Sequence, residues 1–326
     1  MKTKIFKATL LVVFFIASLG VLNGLFFAPS LKEQGKIVAF RGGGSLVDRN
    51  QLEASNCTAA SQLEIGLHAV ENTRQAVAAS VAAGIDVIHL NVQRTNDDQL
   101  VVFHDWTLDC ATNGSGEVRQ KSFAELQVLD AGYGYTFNGG KTYPLRGKGF
   151  SITKLSDFYA IYPRHIFWLN LKNNDERSFA LLSDFLSDVS STSTTKTTVI
   201  TSLKGMRWFE SKAPTVSTAS VDSVKSCGVA YLFVGWAGLV PDACKNTILL
   251  LPPAMATYFW GFPTRMAARL QEHGTEVYLW SQHNPIDPTY RNLVKHGVGM
   301  VTSDIAFIDG FQANKPMKST VGALAD

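Results

Sequence analysis

Four short apolar runs in this chain end in side chains that can do chemistry. Ile37-Val38-Ala39-Phe40 leads into Arg41-Gly42-Gly43-Gly44, and Ile85 to Ile88 leads into His89-Leu90-Asn91. Leu100 to Phe103 leads into His104-Asp105, and Ile166 to Leu169 leads into Asn170-Leu171-Lys172. Imidazoles at His89 and His104 could exchange protons with a reacting hydroxyl. The guanidinium of Arg41 can fork onto phosphate or carboxylate oxygens, and Lys172 adds a point positive charge. Polar groups at the C-terminal ends of successive buried strands are where a (β/α) barrel keeps its active site.

Such residues need a frame, and the pattern supplies one. Ile37 to Phe40, Val87 to Val92 and Leu100 to Phe103 are predicted strands, the last two separated by the turn-forming Asn96-Asp97-Asp98. Further apolar strands centre on Ile166, Val199, Val216, Ile248, Val277 and Met300. Helical spacing covers Thr73 to Ala83 with Gly84 beyond it, then Thr153 to Ile161, Glu176 to Val189, Lys204 to Lys212 and Thr264 to His273. The alternation predicts a TIM-type (β/α)8 barrel with one strand too many, so one of the later short runs is expected outside the barrel. Two long connections interrupt the frame, residues 45–70 and 111–151, and loops of that length are commonly functional. Ser190 to Thr198 reads as a flexible Ser/Thr connection.

The 326 residues are 46% hydrophobic, enough for one barrel over residues 36–310 with a polar tail at 311–326. Lys2, Lys4 and Lys7 account for the net charge of +3, so the barrel is near neutral and nucleic acid is not an expected partner. Ala8 to Leu31 carries no charge, a stretch comparable to the roughly 20 residues that cross a bilayer. Residues 1–35 thus read as a signal anchor with the basic end cytoplasmic and the barrel exported, or as a signal peptide cleaved near Ser18-Leu19-Gly20.

The motifs resemble those of the glycerophosphodiester phosphodiesterase family, a PLC-like phosphodiesterase architecture. That family carries His-Arg-Gly, Glu-Asn-Thr, Glu-x-Asp, His-Asp and Glu-x-Lys in this order. Here the corresponding segments are Phe40-Arg41-Gly42, Glu71-Asn72-Thr73, His89-Leu90-Asn91, His104-Asp105 and Asn170-Leu171-Lys172. Asp105 to Asp109 with Thr112 to Gly116, Val277 to Trp280 and Gly297 to Asp304 extend the likeness.

The resemblance implies hydrolysis of a glycerophosphodiester by two histidines, with Ca²⁺ or Mg²⁺ held by carboxylates. Hard cations need such anionic oxygens. The ligand positions are here His89, Asn91 and Asn170, and one catalytic histidine position is Phe40, so metal binding is not expected and catalysis is expected to be impaired. A cysteine-containing bacterial branch of the family also carries Asn at the third ligand position.

What the resemblance leaves is recognition of a phosphodiester or phospholipid head group. Arg41 and Lys172 would hold the anion, Glu71 the glycerol hydroxyls, and Trp280 would form an apolar wall. His89 reads either as a neutral filler, as a replacement acid or base beside His104, or as a ligand for a softer metal such as zinc. The second of these readings is a metal-independent hydrolase, by analogy with the bacterial phosphatidylinositol-specific phospholipases C.

Four cysteines fit an oxidising compartment and allow three pairings. A Cys57–Cys110 bridge would pin the first long loop beside the site, and Cys227–Cys244 would close a local loop.

Overall fold

In the computed structural model, residues 2–44, 46–47, 57–63, 69–190, 196–280 and 290–303 are described. Ten strands appear in chain order: β1 (Ile37–Ala39), β2 (Val87–Arg94), β3 (Leu100–Val102), β4 (Thr153–Lys154), β5 (Ile166–Leu171), β6 (Thr197–Ile200), β7 (Ser217–Ala219), β8 (Ile248–Leu251), β9 (Glu276–Trp280) and β10 (Val298–Thr302). Eight of them pair in parallel in the order β8-β9-β10-β1-β2-β5-β6-β7, a nearly closed barrel of the predicted type.

The supernumerary strand is β3, not one of the later runs as the pattern suggested. It pairs antiparallel with the end of β2, Val92 facing Val102 and Arg94 facing Leu100, and β4 extends this flap. Only residues 95–99 separate the two strands, with Asp98 at φ 55° in the turn. A parallel return needs a crossover of a dozen or more residues, so this connection can only make a hairpin. His104-Asp105 therefore reaches the site from the flap and not from a stave.

Ten α-helices are described: α1 (Lys2–Phe26), α2 (Arg74–Ala82), α3 (Phe123–Leu126), α4 (Leu155–Ile161), α5 (Glu176–Ser190), α6 (Leu203–Lys212), α7 (Val221–Val234), α8 (Pro253–Ala256), α9 (Thr264–Glu272) and α10 (Arg291–Lys295). The predicted helices fall on α2, α4, α5, α6 and α9. Thr153 and Lys154 belong to β4, and the expected flexible run ends earlier than read, because Thr197 and Thr198 lie in β6.

Alternation along the staves divides the core in two. Ile88, Leu90, Phe167 and Leu169 pack outward against the helices. Val38, Val87, Trp168 and Tyr278 fill the lumen, with Phe40 and Trp280 packed at its edge. By the same period of two, His89, Asn91, Asn170 and Lys172 face the lumen side at its mouth.

The long connections pair with each other. Thr136 N–H donates to the Ala59 carbonyl at 2.9 Å and Gln62 N–H to the Thr136 carbonyl at 3.2 Å. Ala59, Leu108, Ala131, Tyr135 and Phe150 share one buried cluster. The cysteines lie in two pairs at disulfide distance, with Cα separations of 5.8 Å for Cys57 and Cys110 and 4.7 Å for Cys227 and Cys244. The first ties the first insertion to Cys110, the residue just before the second.

Helix α1 is exposed along most of its length, and Thr9–Phe26 is long and apolar enough to cross a membrane.

Candidate functional site

The turn after β1 sets the geometry. Gly42 and Gly43 adopt φ of 75° and 85°. A Cβ on Gly43 would lie 2.2 Å from Ser80 Oγ, and one on Gly44 would lie 2.9 Å from the Glu71 nitrogen. The glycines thus let the turn press against α2 and bring Arg41 to Glu71. Thr73 caps α2 by accepting from the Ala76 N–H.

Arg41 Nη1 donates to both carboxylate oxygens of Glu71 at 2.8 Å, and Thr58 Oγ1 adds a bond to Glu71 at 3.1 Å. The side chains are only 14% and 9% exposed, so this is a nearly buried ion pair. Arg41 Nε is buried without a hydrogen-bond partner among the described residues. Glu71 is therefore committed to Arg41 and not open to glycerol hydroxyls as the resemblance implied; it offsets one cation, and Asp105 lies near the other, Lys172.

His89 is buried, and two contacts fix its state. Its Nδ1 accepts the Arg41 backbone N–H at 3.1 Å, so the neutral ring carries its proton on Nε2. Its ring stacks on Phe40 with centroids 4.8 Å apart. Burial, then the charges of Arg41, His104 and Lys172, pull its pKa down to about 3.

Asn91 is not free to hold a ligand through its full side chain. Asn72 Nδ2 donates to Asn91 Oδ1 at 3.3 Å, and Asn91 N–H donates to Asn72 Oδ1 at 2.9 Å. Asn170 lies beside Asn91 in the β2–β5 register. His104 Nδ1 and Asp105 Oδ1 are 2.7 Å apart. Gln93 Nε2 holds the carbonyls of Phe103 and Asp105 at 3.0 and 2.7 Å, which fixes the flap under His104. Lys172 Nζ lies 5.0 Å from the Trp106 ring centroid, and burial, then Arg41, lowers its pKa. Trp280 sits 6.0 Å from Phe40, closing the lumen below the site.

Phe40, Arg41, Glu71, His89, Asn91, His104, Asn170, Lys172 and Trp280 are thus gathered at one end of the barrel. Asp304, at the end of the last motif, lies outside the described residues. Sequence reading missed three partners: Thr58, Asn72 as an amide clamp, and Tyr135. Tyr135 is buried, and the nearby carboxylates of Glu71 and Asp105 add to burial in raising its pKa. It comes from the second insertion, where an aromatic in a Gly-rich stretch carries no motif.

Comparison with known proteins agrees with this frame. A chain from Agrobacterium tumefaciens, solved as a glycerophosphodiester phosphodiesterase, superposes with a TM-score of 0.57 at 22% identity, covering 85% of this chain and 99% of that one. An Oleispira antarctica phosphodiesterase, solved in complex with the product sn-glycerol-3-phosphate, gives 0.52 at 15% identity over 86% and 96%. In sequence, a glycerophosphodiester phosphodiesterase of Caldanaerobacter subterraneus is 45% identical over 71 residues, 21% of this chain and 29% of that protein. Curated relatives are thus matched over under a third of their length. The sequence profile described as "Glycerophosphoryl diester phosphodiesterase family" matches residues 58–306, which takes in the barrel from the first insertion to β10, and on that match the chain belongs to this family.

Proposed function

We propose that this protein is a non-hydrolysing member of its family that binds the anionic part of a glycerophosphodiester at the barrel mouth. The observation that carries the reading is the state of His89. A ring with a pKa of about 3, its Nδ1 taken by a backbone N–H, neither takes up nor supplies a proton at neutral pH. With Phe40 at the other histidine position, His104 is left without an imidazole partner.

A divalent cation of the family's kind does not fit the residues present. The three positions offer an imidazole and two amides, Asn91 is tied to Asn72, and Glu71 is held by Arg41. Among the described residues, Cys57, Asp105 and Cys110 cluster with ligand-like spacing, but the two sulfurs are bonded to each other. The geometry also weighs against the zinc reading of His89, because Nδ1 already accepts a hydrogen bond and His104 alone would not complete a tetrahedral set.

Binding needs only donors. Lys172 forms no ion pair among the described residues and lies over the Trp106 ring at the mouth, where its ammonium can meet a phosphate oxygen. The sn-glycerol-3-phosphate bound by the Oleispira antarctica neighbour is the kind of ligand this arrangement suits. The competing hydrolase keeps one of its parts, the His104–Asp105 pair at 2.7 Å, which could serve as a base. It lacks the matching acid.

Calorimetric titration with sn-glycerol-3-phosphate and glycerophosphocholine tests the reading. Lys172→Met is expected to weaken both by roughly tenfold or more, the worth of one charge-assisted hydrogen bond. Unchanged affinity in that variant contradicts it.

The same reading includes the compartment. With α1 retained as an anchor, the barrel lies outside the membrane, which suits two disulfides.

A further inference from the structure

Helix α1 does not leave the barrel freely; its last turns are seated on it. Asn23 Nδ2 donates to the Ala237 carbonyl at 2.7 Å, and Arg269 Nη2 donates to the carbonyls of Asn23 and Gly24 at 2.9 and 3.1 Å. Gly20 and Gly24 permit the approach, since a Cβ on either would run into Trp236 at 2.7 and 2.1 Å. Arg269 is 4% exposed, so the open carbonyls at the end of α1 are closed by a buried cation.

Around this seat the barrel presents large apolar side chains to the outside. On α7, Val229 and Phe233 are 56% and 74% exposed and stand four residues apart, and the half-buried Trp236 follows just past the end of the helix. Tyr258 and Trp260 are 75% and 52% exposed. Trp260 Nε1 donates to the Leu232 carbonyl at 3.3 Å, and Tyr231 donates to the Trp260 carbonyl at 3.1 Å, so this loop lies against α7. Between α1 and these residues runs an apolar groove of about 290 Å³, lined by Val21, Leu25, Trp236 and Trp260, with the exposed Arg265 at its rim.

We infer that this face is a membrane-contact surface, lying in the lipid head-group and upper acyl layer of the leaflet that α1 enters. The occupant follows from continuity. The exposed aromatics adjoin a helix whose Thr9–Phe26 segment is only 6% buried by protein, so whatever solvates that segment meets the groove at its mouth. Trp and Tyr favour the head-group level because one end of the ring system is apolar and the other polar. Arg265 beside the groove suits a lipid phosphate. The segment after α1 runs past Gln271, which accepts from Lys32 and Glu33 N–H, and enters β1 at the barrel end opposite the site. The surface rests on the anchor reading and extends it: the barrel lies against the membrane in a fixed orientation and does not hang on a tether.

Site-directed nitroxides test it on the full chain in phosphatidylcholine–phosphatidylglycerol vesicles. Labels are placed at Phe233→Cys, Tyr258→Cys, Phe14→Cys within α1, and Val128→Cys, a 75% exposed position in the second insertion. Relaxation by oxygen relative to a water-soluble nickel chelate is expected to be several-fold higher at positions 233, 258 and 14 than at 128. If position 14 is in lipid while 233 and 258 match 128, the anchor stands and the contact surface is overturned. If position 14 also matches 128, the anchor reading falls and the surface falls with it. Phe233 and Tyr258 are both exposed, so either label alone decides the matter should the other disturb folding.

Discussion

The state of His89 can be read as a pH dependence of stability. Its folded pKa of about 3 lies below the ordinary value near 6.5, and the charged form is the disfavoured one. The unfolded chain therefore binds more protons between those limits, so the contribution is fully present above about pH 6.5 and is lost as pH falls toward 3. At about 1.4 kcal/mol per unit the whole effect is about 5 kcal/mol, of which about 2 kcal/mol is lost between pH 7 and 5. The matched control is His89→Asn, whose Oδ1 can still accept the Arg41 N–H while nothing at that position titrates. Guanidinium unfolding of the full chain in detergent at pH 7 and pH 5 gives the comparison. All other titrating groups are common to both chains, so the natural chain should lose about 2 kcal/mol more than the variant. Equal losses in the two chains would refute the reasoning. His89 would then titrate near neutrality, and it could carry protons after all.

Three further outcomes follow from the packing. Glu71→Gln leaves a nearly buried guanidinium without its counter-charge and should cost about 3 kcal/mol, seen as a lower unfolding midpoint that sn-glycerol-3-phosphate partly restores. An unmoved midpoint would mean that Arg41 is solvated. Gly43→Ala should cost about 3 kcal/mol, since it places a Cβ 2.2 Å from Ser80 Oγ at φ 85° and ψ −151°; unfolding within 1 kcal/mol of the natural chain would show that the turn is not tied to α2. Replacing Cys57 and Cys110 by serine opens a link across 53 residues and should cost about 4 kcal/mol, against about 3 kcal/mol for the 17-residue link of Cys227 and Cys244. The reverse order, measured by denaturant unfolding, would contradict the loop-closure account.

The staves and the Phe40, His89, His104 and Lys172 positions were legible in the sequence because buried parallel strands announce themselves as apolar runs with polar ends. The pattern misled at Leu100 to Phe103. An apolar run reads alike in a stave and in a flap, and only the length of the connection, residues 95–99, distinguishes them. Helix α7 went unread because Val221, Val229 and Phe233 place apolar groups on the side away from the buried Cys227 and Tyr231, interrupting the polar face that Asp222, Lys225 and Ser226 begin. That doubled apolar character is what the membrane-contact surface accounts for. Side-chain pairing was the other gap. Motif positions identify Arg41, Glu71 and Asn91, but not that Arg41 is bonded to Glu71 or Asn91 to Asn72, because such pairs depend on the left-handed turn at Arg41 and Asn72, with φ of 54° and 61°.

The central claim, a family barrel that binds without hydrolysing, is tested most directly by release of choline from glycerophosphocholine. The natural chain would be assayed with Ca²⁺, with Mg²⁺ and with chelator, beside a Phe40→His/His89→Glu/Asn91→Asp variant that restores the histidine and two carboxylates. No turnover by the natural chain in any condition, with metal-dependent turnover by the variant, is the predicted result. Turnover by the natural chain that survives chelator and disappears in His104→Ala would contradict it.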